Sequence, residues 1–366
     1  MILDEQRRVR LDRLDPAAAL RLIGELGILG HGGGGFPAAT KLSAALGRGA
    51  ELIINGCDGE PLVAKDTLLL SSKPLLVADG IAVVQRILRP SRTLVAAHLD
   101  SAGATAAAAM ITSSGLAAEL LPVPRRYVAS EASAVAALAR GKAARPVDHP
   151  RPLTDGFPVA GGTPVVVLNV ETVARIAAAM VTGVAEPTRL LTLAGDVHRP
   201  GVVEVGLESR VEDVVGQITA GPRAVLLGGF ADRWHRWEDV RSTRLSQLHG
   251  QLGAGLVMVQ ATGCPLVLVG RILDFLAGET AGQCGPCMFG LPAIAADWRE
   301  LLQPATAARA QTRLRQRLPV ITGRGACAHP DGTVAMAASA LQVFSADLAH
   351  HQHGGCVAAA DLVGVR

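Results

Sequence analysis

The sequence predicts a multidomain chain of α/β plus α class, and three observations point to it. Between Glu51 and Val181, short apolar runs of strand length alternate with helix-length segments, the pattern of a mostly parallel sheet covered on both faces. From Leu190 the texture changes to short strands, a turn at Arg199-Pro200-Gly201 and one amphipathic helix. After about Gly270 the chain reads helical to its end, with cysteines at the turns.

The elements follow in order. Residues 16–29 read as a helix, with Asp15 as its N-cap and Pro16 in the first turn. A run of four glycines, Gly32 to Gly35, comes next, and residues 51–55 read as a strand. Residues 73–88 read as a helix, 93–98 as a strand and the alanine-rich stretch after Ser101 as a helix. Ser130 is expected to cap the helix of "SEASAVAALARG". The Pro/Gly-rich stretch 145–164 has no periodicity and reads as a long loop. "VVVLNVETVARIAAAMV" returns to strand and helix, and "AVLLGGF" is a further strand.

With 366 residues the chain is long enough for two or three domains. Its formal charge of +3 is spread along the sequence, and no basic run carries interleaved aromatics. Nucleic acid is therefore not an expected partner. The start, "MILDEQRRVRLDRLD", is charged and lacks the apolar core of a signal peptide. The most apolar stretches are interrupted by charged residues, glycine and proline. A cytoplasmic protein is expected, with any membrane link made through a partner. Six cysteines in a reducing compartment suggest metal or redox chemistry rather than disulfides.

Two stretches invite a ligand. "GHGGGGFPAATK" lets backbone approach a flat or anionic group closely, with amide N–H groups free to donate and Lys41 as a point charge for a phosphate. It is not the dinucleotide fingerprint, because no G-x-G-x-x-G opens a helix straight after a strand. "LIINGCDGEP" ends a strand with Asn55, Asp58 and Glu60, at the edge where open α/β sheets bind ligands. Carboxylates there repel phosphate and suit the hydroxyls of a ribose or ribityl chain.

Taken with Lys65-Asp66, "YVASEASAV" and "NVET", these stretches stand in the order seen in a known family. The chain resembles the FMN-bearing, NADH-oxidising iron–sulfur subunit of respiratory complex I and related hydrogenase and formate dehydrogenase subunits. It is also similar in part to the C subunit of the Rnf electron-transport complex. The resemblance implies three domains: a Rossmann-like FMN-binding domain over 1–185, a β-grasp soluble ligand-binding domain over 186–265 around "GDVHRPGVVEV", and a helical-bundle iron–sulfur domain over 266–366. It implies FMN held by Gly32, Gly33, Gly34, Gly35 and Lys41, with Asn55, Asp58, Tyr127, Glu131 and Asn169 beside it. Glu60 and Phe36 take the catalytic places, Glu60 toward NADH and Phe36 stacked on it.

The departures from the family pattern bear on NADH. The second acid of its "GEE" motif is Ala132, the aromatic after the lysine is Ala44, and Thr154 stands nearest a further missing aromatic. Cys57 replaces the acid after Asn55. Stacking surface for a nicotinamide is thereby reduced, so FMN is better supported than NAD(H).

Cys284 and Cys287 form a C-x-x-C, which alone reads as a redox dithiol, a zinc half-site or a cluster half-site. The resemblance selects a [4Fe-4S] cluster, with Cys327 as third ligand and Ala281 where the family has its remaining cysteine. Cys356 is the expected fourth ligand, with His329 and Cys264 as alternatives. Cys57 and Cys264 read as small buried residues, and "HHQH" as a surface cluster at a helix end. The expected function is electron transfer from FMN through the cluster to a redox partner, a ferredoxin-like protein or other members of a complex. The alternatives are a ferredoxin-linked flavoprotein without NADH activity and a degenerate structural component of a redox complex.

Overall fold

The computed structural model describes residues 1–147, 152–156, 162–185, 187–216 and 221–355. The chain divides into two compact units, Met1–Thr192 with Val202–Leu207, and Leu193–Gly201 with Glu208–Arg366.

The first unit is an α/β layer structure. Its elements are α1 (Pro16–Glu25), α2 (Ala38–Ala45), β1 (Glu51–Asn55), α3 (Lys65–Ser72), α4 (Pro74–Leu88), β2 (Arg92–His98), α5 (Ala102–Ser114), β3 (Glu119–Val123), α6 (Ala132–Ala139), β4 (Val165–Asn169) and α7 (Val170–Thr182). The four strands form a parallel sheet in the order β3-β2-β1-β4. Strands this apolar belong in a sheet covered on both sides. Leu52, Ile54, Val166 and Leu168 join the core with α1, α2, α4 and α7. Ile53, Val165 and Val167 face the opposite way, against Val135 to Ala137 of α6.

Local chemistry sets the helix ends. Asp15 accepts from Ala17 N and Ala18 N at 3.2 Å, as expected of an N-cap. Ser101 caps α5 through Ala104 N, and α5 and α7 stop at Gly115 and Gly183 in the left-handed region. Ser130 does not cap α6. Glu131 does, accepting from Ser133 N and Ala134 N, because its longer side chain folds back onto the first turn. The α4–α7 crossing is very close: a Cβ on Gly80 would lie 1.9 Å from Val173 O.

The division between the units runs through the next two strands, β5 (Thr188–Gly195) and β6 (Gly201–Gly206). The second unit continues with α8 (Val211–Val215), β7 (Ala224–Gly228), β8 (Arg233–Arg236), α9 (Trp237–Val240) and β9 (Leu256–Gln260). β7 lies between β8 and β9, antiparallel to both. Helices follow to the end of the described chain: α10 (Pro265–Gly278), α11 (Leu291–Leu301), α12 (Ala307–Ile321), α13 (His329–Val343) and α14 (Ser345–Gln352). Trp298 anchors them, fully buried, with its indole N–H donating to Leu266 O at 2.9 Å. Among the described residues no single helix is long and apolar enough to cross a membrane.

Candidate functional site

Pairing of β1 with β4 sets Asn55 directly beside Asn169 at the carboxyl edge of the sheet. Asn169 Nδ2 donates to Asp66 Oδ2 at 2.7 Å and to Asn55 O at 3.2 Å. Its Oδ1 accepts from Lys65 Nζ at 3.1 Å and, as the N-cap of α7, from Glu171 N. Asn55 donates to Ser130 O at 2.8 Å and accepts from Cys57 N. Asp58 reaches forward to cap α3, accepting from Asp66 N at 3.0 Å and Thr67 N at 2.9 Å. Glu60 accepts a hydrogen bond from the Tyr127 hydroxyl. The residues that the sequence singles out thus gather at one edge, and most are tied to each other or to helix starts.

Behind them lies a buried ionic cluster. Lys65 Nζ sits 2.8 Å from Asp66 Oδ1 and 3.2 Å from Glu171 Oε2. Glu171 Oε1 accepts from Arg175 Nε at 3.0 Å and from Leu190 N at 3.2 Å, and lies 3.3 Å from His31 Nδ1. Burial works against the charge of Glu171, but Lys65, Arg175 and Arg189 with His31 hold its carboxyl well below the usual range. Burial pushes Asp66 up to about 7 despite Lys65. Burial also pushes His31 down to about 3, so its imidazole is neutral at neutral pH. Burial, helped by Asp66 and Asp58, pushes the Cys57 thiol up, so Cys57 is an inert thiol there.

Nothing in the sequence reading assigned His31, Thr172 or Arg175 to this region. The Glu171–Arg175 pair at i,i+4 was the one local signal available.

The glycine loop crosses the start of α7. Its base closes through Gly30 N to Phe36 O and Ala38 N to Ile28 O, both 2.9 Å, and His31 N donates to Thr172 Oγ1. Gly33 and Gly35 take φ values of +105° and +57°, which glycine adopts without strain. The Cβ position of Gly32 is 3.5 Å from Asn169 Cβ, and that of Gly34 faces open space. Among the described residues, the N–H groups of Gly32 to Gly35 make no hydrogen bond to protein. Lys41 has no carboxylate partner there either. Its Nζ lies 3.4 Å from Val167 O and 5.9 Å from the Phe36 ring centroid, and burial lowers its pKa. Exposed amides, an unneutralised cation and the positive end of a thirteen-residue helix together fit an anionic group such as a phosphate. On this ground the loop fits FMN.

The cysteines present a different picture. Cys284 and Cys287 flank the start of a π-helical turn, Pro286–Gly290, and Cys287 is buried. That turn packs against α12 and α13, and Cys327 lies two residues before α13. The donors are soft thiols of the right kind. Yet no group of three His, Cys, Asp or Glu side chains among the described residues is arranged to hold a metal ion. Cys356 lies outside the described residues. The two alternatives are engaged elsewhere: His329 Nε2 is 3.0 Å from Leu276 O, and Cys264 Sγ is 3.4 Å from His351 Nε2.

Residues 23–178 match the family model for the Nuo51 FMN-binding domain. Residues 267–351 match that for the NADH-ubiquinone oxidoreductase-F iron–sulfur binding region. The two matches define the class: a flavin- and iron–sulfur-dependent electron-transfer oxidoreductase. Within that class the chain resembles the F subunits of the NADH-quinone oxidoreductases. It is 26% identical over 394 residues to the second NADH-quinone oxidoreductase F subunit of Rhizobium meliloti (strain 1021), covering 94% of this chain and 91% of that protein. It is 29% identical over 203 residues to the C subunit of the ion-translocating oxidoreductase complex of Edwardsiella ictaluri (strain 93-146), 55% of this chain and 24% of the other. A solved NAD+-reducing [NiFe]-hydrogenase in its air-oxidized state contains a chain of the same fold. The TM-score is 0.82 at 24% identity, over 95% of this chain and 66% of that one.

Proposed function

We propose that the chain is the flavin-bearing entry module of a multi-subunit redox complex, with FMN seated on the Gly32–Gly35 loop. The observation that carries this placement is the set of unbonded loop amides beside a Lys41 without a counter-ion, over the start of α7. Those amides and Lys41 bind the phosphate. Asn55, Asp58, Glu131 and Asn169 build the wall beside the flavin, since their own hydrogen bonds fix the loops that carry them.

When bound, FMN supplies hydride acceptance and one-electron release, and the protein supplies position and electrostatics. Phe36 stands exposed at the mouth of the loop, placed to stack against a donor. Glu60 takes its place toward the donor, and the Tyr127 hydroxyl orients its carboxylate. NADH is the donor this reading favours. Ala132 and Ala44 leave its stacking surface thin, which favours weak NADH turnover over strong.

Cys284, Cys287 and Cys327 hold the cluster in this reading, with Cys356 as fourth ligand. The three-domain division at 185 and 265 and a cytoplasmic setting with a membrane link only through partner proteins belong to the same proposal.

The test is anaerobic purification followed by absorption spectroscopy, flavin extraction and iron analysis. FMN near one per chain with about four irons is expected. Bleaching of the flavin band by NADH supports a pyridine-nucleotide donor. Bleaching by reduced ferredoxin alone supports the ferredoxin-linked alternative. A colourless protein refutes both.

A further inference from the structure

The turn after Glu60 has a backbone that its side chain opposes. Val63 N donates to Pro61 O at 2.9 Å and to Glu60 O at 3.2 Å, and Leu62 takes a φ of +71°. A three-residue turn closed about such a φ is the rare, strained γ-turn. Glycine adopts it freely, whereas a residue with a Cβ does so at a cost in free energy. Among the described residues, the other non-glycine positions with positive φ are Arg89 and Asp100. Each has a local reason: Arg89 closes α4, and Asp100 is an aspartate in a turn. Leu62 has neither reason, and burial does not hold it, since it is 52% exposed.

The segment is fixed on both sides of this residue. A Cβ on Gly59 would collide with Ser130 Oγ, so the chain there lies hard against Ser130. The Tyr127 hydroxyl holds Glu60. Val63 is buried, and Lys65 is locked into the ionic cluster with Asp66 and Glu171. The chain must turn between these anchors in a few residues, and the strain falls on Leu62. Its side chain nevertheless goes to solvent, on the same turn as Glu60. Phe36, 46% exposed, is its counterpart on the glycine loop. A strained residue that packing does not demand is a sign of a ligand contact.

We propose that Leu62 is a specificity-determining residue whose side chain lies against a pyridine-nucleotide donor, beside the Glu60 carboxylate. It supplies part of the apolar surface that Ala44 does not offer. The inference rests on the reading that seats FMN on the glycine loop with Glu60 toward NADH. Glycine at this position would relax the backbone and remove the contact together. Stability and donor affinity should therefore move in opposite directions. A residue kept only for the fold would not weaken the donor while strengthening the fold.

The experiment compares Leu62→Gly and Leu62→Ala with the wild type, as the FMN-loaded full chain under anaerobic conditions, with NADH as the probe. Leu62→Gly should raise the urea midpoint. It should also raise at least threefold the NADH concentration that half-saturates the rate of flavin bleaching. Leu62→Ala keeps the Cβ, so it should weaken NADH similarly without raising the midpoint. FMN content and bleaching by dithionite should be unchanged in both. An unchanged NADH half-saturation in Leu62→Gly overturns the proposal, and so does a lowered urea midpoint in that variant. Wild-type protein that binds no FMN, or whose flavin NADH does not bleach, overturns the underlying reading too, and that result is seen without either variant.

Discussion

The edge of the parallel sheet and the cysteine turn of the second unit are organised in opposite ways. At the sheet edge the polar groups already have partners: Asn55 and Asp58 bond nearby backbone, and Asn169, Lys65, Asp66 and Glu171 pair among themselves. At the cysteine turn the donors lie near each other in the chain and packing, but no three converge. A flavin phosphate makes modest demands, which a few backbone amides meet. A cluster demands several soft ligands at fixed geometry, and metal binding itself supplies the energy that gathers them. On the proposed placement, the first site is built by folding and the second is completed by its metal.

The largest expected effect breaks the pre-paired side. Glu171→Ala removes the carboxylate that Lys65 and Arg175 share, leaving Lys65 with Asp66 alone and Arg175 with Glu204 at 3.9 Å as its nearest carboxylate. A loss of about 3–5 kcal/mol is expected, read as a lower urea midpoint or loss of soluble protein. On the other side, Cys287→Ala should strip cluster iron while leaving the circular dichroism spectrum intact. Cys264→Ala should leave iron content unchanged, because its sulfur faces His351 instead. Retention of full iron by the Cys287 variant would count against the cluster placement.

Lys41→Ala sharpens the comparison further. Lys41 has no carboxylate partner to orphan, so stability should hardly change. FMN affinity should fall about tenfold, or about 1.4 kcal/mol, by fluorescence titration. A pH effect tests the buried cluster from another side. His31 is held down to about 3 against an ordinary 6.5, so below about 6.5 the unfolded chain binds a proton that the folded chain does not. Stability from this group is present above 6.5 and is lost as pH falls toward 3, by up to about 1.4 kcal/mol per pH unit. Asp66, raised to about 7, acts the other way between 3.8 and 7. The measurement is therefore the difference in stability between wild type and His31→Gln across that range. A flat difference would refute the neutral, buried His31.

Much of the alternation of strand and helix was legible, because strands buried on both faces must be continuous apolar runs. Leu52 to Ile54 and Val165 to Leu168 are of that kind. The start of α3 was not legible. Its cap is Asp58, eight residues before Asp66, and no local cap rule reaches that far. The motif residues of the site were legible through family resemblance. The roles of Asp58 and Glu131 as helix caps were not, since a carboxylate at a strand end reads equally as a ligand group. His31 and Glu171 are 140 positions apart, and only folding shows that they meet. Cysteine spacing identified the candidate ligands, but spacing carries no information on whether the sulfurs converge.

The π-helical turn at Pro286–Gly290 has one further consequence, for which changes in chain length this region tolerates. A π turn closes its hydrogen bonds one residue later than an α turn, so it holds one residue more than the surrounding helix needs. Deleting one residue there would let the helix continue in α register, rotating what precedes it by about 100° relative to α11. Cys284 would then turn to a different direction relative to α11. On the proposed placement the Gly32–Gly35 loop acts through its backbone, so single-residue length changes there would shift the flavin without reversing any side chain. Insertions and deletions, more than substitutions, should therefore separate the two halves of this molecule.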